Sequence, residues 1–200
     1  MPHPLFGKKI LITNVPTDGH FNPLTGIAKH LQNLGCDVRW YTSTIFGEKL
    51  RKLGIPHHSF KWAKEYNGLN LAIKIPEIRT APAPQKGKLY LKHLFIERAT
   101  EYFEDIRALY DWFPFELCIA DSMFSGMPFI RYGMRIPVMA IGVVPLIEDS
   151  VDTAPAGRAL PPANNEKCRI AYAEMYKQKY QSIDKLIARY KADLNAYGIT

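Results

Sequence analysis

Two side chains in this sequence have the types and addresses to move a proton together. His20 lies in the segment Asp18, Gly19, His20, just beyond an apolar run at Lys9 to Asn14. Asp121 closes a second apolar run, FELCIAD, at Phe115 to Asp121. Imidazole is the side chain whose unperturbed titration lies nearest neutral pH. A carboxylate against it fixes the tautomer and stabilises the imidazolium, which makes the pair a competent general base. Each residue also has a plain structural role open to it: His20 as a hydrogen-bonded loop histidine, and Asp121 as the cap of a helix beginning near Met123. The elements that carry the two residues decide between these readings.

The first apolar run, with Ile10-Leu11-Ile12 continuous rather than alternating, reads as a strand covered on both faces of a parallel sheet. After the loop, Asn22 is placed to cap and Pro23 to occupy the first helical position, so a helix is expected from about residue 23. Leu24, Ile27, Ala28, Leu31 and Leu34 form its apolar stripe, and Gly35 is its left-handed stop. Further strands are expected at 37–43, 55–60, 117–121 and 138–143. Helices are expected at 45–53, 88–110, up to about 134, and 166–197, the last broken near Gln181 and Ser182. Right-handed crossovers give such an α/β chain a doubly wound parallel sheet of order 3-2-1-4-5, with helices on both faces. Strands one and four then adjoin where the winding reverses, and ligands of open sheets bind there, outside the carboxyl ends of the strands. His20 and Asp121 are therefore expected to converge.

Composition removes several other classes. The 200 residues are 47% hydrophobic and 22% charged, an ordinary globular balance. A formal net charge of +7 is spread along the chain without a compact basic run, so no nucleic acid partner is expected. No apolar stretch is long enough to span a membrane, and MPHPLFGKK lacks the apolar region of a signal peptide, so a cytoplasmic protein with no transmembrane segment is expected. Cys36, Cys118 and Cys168 lack the spacing of a disulfide framework or zinc site, and the adjacent His57 and His58 face opposite ways in a strand, so no metal is expected. His93 falls off the apolar stripe of its helix, where solvent is expected. The loop after the first strand holds Gly19 alone and neither G-x-G-x-x-G nor G-x-x-x-x-G-K-[ST], which argues against a dinucleotide or nucleoside triphosphate cradle.

Two long irregular stretches, 61–87 and 145–165, are candidate binding loops. With the aromatic and sulfur side chains near them they suggest an apolar wall, and Trp62, Tyr66, Phe95, Phe124 and Met127 are its candidate lining. Phe95 and Met127 could equally be core.

DGHFNPL at Asp18 to Leu24, together with ADSMF at Ala120 to Phe124, resembles the amino-terminal domain of family 1 glycosyltransferases, the macrolide and UDP-glycosyltransferase type. The resemblance spans essentially the whole chain. It implies a Rossmann-like domain that is one half of a GT-B fold, with residues 1–200 forming a single acceptor-binding domain. It implies inverting transfer of a sugar from a nucleotide sugar, UDP- or TDP-linked, to a hydroxyl of an apolar small molecule, with no metal and no other cofactor. By the same resemblance His20 is the base that deprotonates the acceptor and Asp121 orients it. The family places its nucleotide-sugar site in a carboxyl-terminal domain absent from this chain. A donor domain or a separate donor subunit is thus an expected partner beside the hydroxylated acceptor, and the chain alone is expected to fold and bind an acceptor without turnover. The alternative reading is a non-catalytic module that binds a small molecule or recruits a partner.

Overall fold

The computed structural model describes residues 3–144 and 148–200. Pro145, Leu146 and Ile147, at the start of the second candidate loop, lie outside the described residues. The chain divides into two compact units, one formed by Met1–Val143 with Tyr190–Thr200 and the other by Val144–Arg189.

The first unit is built on five parallel strands: β1 (Lys9–Thr13), β2 (Asp37–Tyr41), β3 (His57–His58), β4 (Leu117–Asp121) and β5 (Val138–Ile141). Their order is β3-β2-β1-β4-β5, so β1 and β4 are neighbours at the reversal, with Ile12 beside Ile119 and Thr13 beside Ala120. Alternate residues feed two cores. Ile10, Ile12, Val38, Trp40 and Ile119 face one side, against Phe21, Leu24 and Ala28 of α1 (Asp18–Asn33) and Leu50 of α2 (Gly47–Leu53). Leu11, Tyr41, Cys118 and Ala120 face the other, against Tyr102, Ile106 and Leu109 of a helix described below. Both faces are dry, which is why the strands read as continuous apolar runs. Gly35 and Gly54 end the two helices on the first face with positive φ, +86° and +67°.

Helix α1 begins at Asp18, five residues before the position its capping residues suggest, and holds Pro23 inside it. The first turn closes through His20 N–H and Phe21 N–H donating to Thr17 O at 3.1 and 3.0 Å. Phe21 explains the early start: its ring stacks on Phe46 at 4.2 Å and lies 4.6 Å from Trp40. Burying that ring contributes about 2–3 kcal/mol, of the same order as the roughly 3 kcal/mol that a proline inside a helix costs.

The segment expected as one helix from residue 88 is broken into pieces. Short helices α3 (Leu71–Lys74) and α4 (Glu77–Thr80) lead into α5 (Ala83–Tyr90), then a π-helical turn at Leu91–Phe95, a 3₁₀ turn at Ile96–Arg98 and α6 (Ala99–Tyr110). A second π turn, Phe129–Gly133, stands where a helix is expected before β5. His93 is not on a solvated face. It is part-buried, with Nδ1 2.9 Å from Glu97.

Asp105 on α6 is a buried carboxylate with four donors: Tyr41 Oη at 2.8 Å and the backbone N–H groups of Lys61, Trp62 and Ala63 at 2.9, 2.9 and 3.3 Å. It ties the first irregular loop to the second core. Asp105→Ala leaves these donors without an acceptor, so we expect a loss of about 3 kcal/mol, read as a lower urea midpoint. An unchanged midpoint would mean that solvent replaces the carboxylate.

At the β3 edge the two histidines part as expected. His57 Nε2 lies 3.0 Å from Thr42 O, while the His58 and Trp112 rings are T-shaped with centroids 4.9 Å apart and the buried His58 Nε2 has no hydrogen-bond partner among the described residues. Burial, followed by the charges of Arg39, His57 and Lys61, lowers the His58 pKa from 6.5 to about 4. The unfolded chain therefore takes up this proton at higher pH than the folded one. Stability is complete above pH 6.5 and falls between there and about pH 4. His58→Phe should flatten that part of the stability–pH curve relative to wild type, and parallel curves would disprove the assignment.

The second unit contains residues 148–165 and the first part of α7 (Glu166–Ala196), a helix that runs unbroken through Gln181 and Ser182. Polar links hold it. Tyr172 Oη donates to Pro161 O at 2.7 Å, Arg169 pairs with Asp152 at 2.8 Å, and Tyr180 Oη bonds Asp149. Ile170, expected on an apolar stripe, is exposed. In the first unit, Tyr190 and Leu194 at the far end of α7 do pack, against Phe129 and Phe103.

Candidate active site

The carboxyl ends of β1 and β4 bring His20 and Asp121 together. His20 stands in the first turn of α1 rather than in a free loop, and its Nδ1 lies 2.9 Å from Asp121 Oδ1. Asp121 is fully buried and is also reached by two backbone donors, Val15 N–H on Oδ2 at 2.5 Å and Met123 N–H on Oδ1 at 2.9 Å. Val15 N–H and Met123 N–H both donate to this carboxyl, and the same accepting role toward His20 assigns the ring hydrogen to Nδ1. The lone pair is then on Nε2, which makes no hydrogen bond to another described residue. No helix begins at Met123, where the chain makes a turn, so the bond from Met123 N–H makes Asp121 the acceptor of a turn at the end of β4 rather than a helix cap.

Around the pair lies a third apolar cluster at the sheet's carboxyl edge. Its buried members are Val15, Leu71, Ile78 and Leu94, with Tyr66, Leu89, Tyr90, Phe95 and Met123 part-buried against them. Phe95 meets the His20 ring edge to face, with centroids 6.4 Å apart at 67°. Tyr66 joins this cluster while its ring carries the Arg98 guanidinium at 5.3 Å.

The other candidate wall residues lie elsewhere. Phe124 is fully buried and stacks on Tyr102 at 5.1 Å, and Met127 packs part-buried on the same core. Phe124 follows Asp121 by three residues, but the turn closed by Phe124 N–H donating to Asp121 O directs its ring inward. Trp62 is 61% exposed and lines a groove of about 670 Å³ with Glu101, Glu104, Arg107, Asp111 and Tyr197. That groove shares no residue with the His20–Asp121 cluster. Met123, whose N–H donates to Asp121, and Leu89 and Tyr90, which pack in the same cluster, are residues that periodicity alone does not single out. Among the described residues no three His, Cys, Asp or Glu side chains gather to hold a metal ion, and no helix is long and apolar enough to cross a membrane.

No protein-family model matches the chain. Among curated proteins, 4'-demethylrebeccamycin synthase of Lentzea aerocolonigenes is 29% identical over 164 residues, 82% of this chain and 39% of that protein. The chain resembles glycosyltransferases. UDP-glycosyltransferase 2 of Phaeomoniella chlamydospora is a second such relative, 27% identical over 80% of this chain and 37% of its own length. The chain thus spans about two-fifths of the length of the curated relatives it matches. Of solved structures, a glycosyltransferase of kitacinnamycin superposes over 100% of this chain and 42% of its own, with a TM-score of 0.63 at 16% identity. The fold is that of one half of a GT-B glycosyltransferase.

Proposed function

We propose that this chain is the acceptor-binding half of an inverting glycosyltransferase that moves a sugar from a nucleotide sugar to a hydroxyl of an apolar small molecule. The observation that carries the reading is the 2.9 Å contact of Asp121 Oδ1 with His20 Nδ1, because a carboxylate held at Nδ1 leaves Nε2 as the basic nitrogen. The Nε2 lone pair takes the proton of the acceptor hydroxyl as its oxygen attacks the anomeric carbon from the face opposite the leaving nucleoside diphosphate. Attack from that face inverts the configuration. Asp121 holds the resulting imidazolium without taking the proton itself. The apolar cluster of Tyr66, Phe95, Leu89 and Met123 suits an apolar acceptor body with few polar anchors. The relatives' names support sugar transfer to natural products, and one of them supports a UDP-linked donor.

Transfer also needs the diphosphate to be held and its charge balanced as it leaves. We assign that to a nucleotide-sugar-binding half, in the same polypeptide or in a separate donor subunit, and no metal is required by the proton transfer described. The test supplies this chain with such a half, covalently or in trans. UDP- and TDP-sugars are offered with a panel of phenols, macrolides and sterols, and the product's anomeric configuration is read by NMR. Inverted product supports the reading. Retained configuration, or saturable acceptor binding with no transfer from any donor, overturns it, and the second result would leave a binding module.

A further inference from the structure

We infer that Ser125 is a positioning residue for His20, acting through Phe95. The inference rests on reading His20 as the base, and it names how the second side of the imidazole is held. Asp121 fixes Nδ1, but one hydrogen bond to one nitrogen leaves the ring free to rock about that contact. Phe95, edge to face at 6.4 Å, is the aromatic neighbour that limits this motion.

Phe95 reaches His20 because it ends a π-helical turn, Leu91–Phe95, whose extra residue rotates the following side chains relative to a regular helix. Its backbone, at φ −111° and ψ −74°, lies well away from α-helical values. The carbonyl of this displaced residue accepts from Ser125 Oγ at 2.8 Å. Ser125 is held in turn by Tyr190, whose Oη donates to the Ser125 carbonyl at 2.6 Å. Burial pushes the Tyr190 phenol up to about 12, so it remains a donor at neutral pH. Ser125 directly follows the turn that begins at Asp121, where Phe124 N–H donates to Asp121 O at 3.0 Å. One short segment therefore carries the carboxylate that holds His20 on one side and the hydroxyl that holds Phe95 on the other. Without the hydroxyl, the π turn can relax to regular helix, which would turn Phe95 by about 100°, one residue's rotation, away from the imidazole.

The test is NMR of the protein labelled at its histidine rings, with His20 assigned by His20→Gln. Ser125→Ala should move the His20 ring resonances most of the way to the positions they take in Phe95→Leu, while His57 and His58 keep theirs. Ser125→Thr, which retains a hydroxyl, should restore the wild-type positions. If Ser125→Ala does not fold, Tyr190→Phe, which removes a single oxygen, should move the same resonances in the same direction. His20 resonances unmoved in Ser125→Ala but displaced in Phe95→Leu would overturn the inference, as would displacement of all histidines together. These signals report ring placement whether or not sugar is transferred, so failure here is separate from failure of the functional reading, which His20→Ala assays would reveal.

Discussion

His20→Ala, assayed with a nucleotide-sugar-binding half present, is expected to lower turnover by about 10²–10⁴ while leaving acceptor affinity nearly unchanged. The imidazole contributes where the proton moves, in the transition state, and little to the ground-state complex, which rests on the apolar wall. His20 is mostly buried, its side chain 14% exposed, and loss of the ring also empties the space against Phe95. Some of the loss could therefore come from displacement of Phe95. His20→Gln separates the two effects because it keeps volume and a hydrogen-bonding group beside Asp121 but supplies no base. Both variants should fall together. Turnover retained in either would return His20 to a structural role.

Asp121→Asn should reduce turnover by a similar order, about 10²–10⁴, for a different reason. The carboxylate takes three donors on two oxygens: Val15 N–H on one, and Met123 N–H with His20 Nδ1 on the other. An amide has one acceptor and cannot serve all three. If its oxygen faces His20, Val15 N–H meets an NH₂ group. If its nitrogen faces His20, the imidazole must accept at Nδ1, and Nε2 then carries the hydrogen and takes no other. Either arrangement removes the negative charge that stabilises the imidazolium, and each leaves a buried N–H unpaired at a cost of about 1–3 kcal/mol. Turnover and thermal stability should drop together. A stability loss with turnover intact would leave Asp121 as a turn cap alone.

The sheet was legible because its physics is local. Continuous apolar stretches such as the ILI of KILIT and the LCIA of LCIAD are expected where both faces are covered, and right-handed crossovers then fix β1 beside β4. That adjacency was enough to bring His20 to Asp121. The start of α1 was not legible, because Asn22-Pro23 carries a local capping signal that the packing of Phe21 on Phe46 and Trp40 overrides. The π turn at Leu91–Phe95 has no mark in a 3.6-residue period, so the stripe through residues 91–109 reads as one helix and the aim of Phe95 cannot be computed from it. Phe124 and Trp62 show the same limit. An aromatic near a site in sequence faces the core or solvent according to backbone turns and to anchors such as Asp105, which catches the N–H of Trp62 from another element.

The measurement closest to the central claim is the ratio of wild-type to His20→Ala transfer rates across phenolic acceptors of decreasing hydroxyl pKa, at one pH and with saturating donor. A hydroxyl that already ionises at the assay pH needs no base, whereas a weakly acidic one needs His20 to take its proton in the transition state. The ratio should be about 10²–10⁴ for the weakest acids and collapse toward unity once the acceptor pKa drops below the pH of the assay. A ratio that stays constant across the series would contradict general-base catalysis by His20.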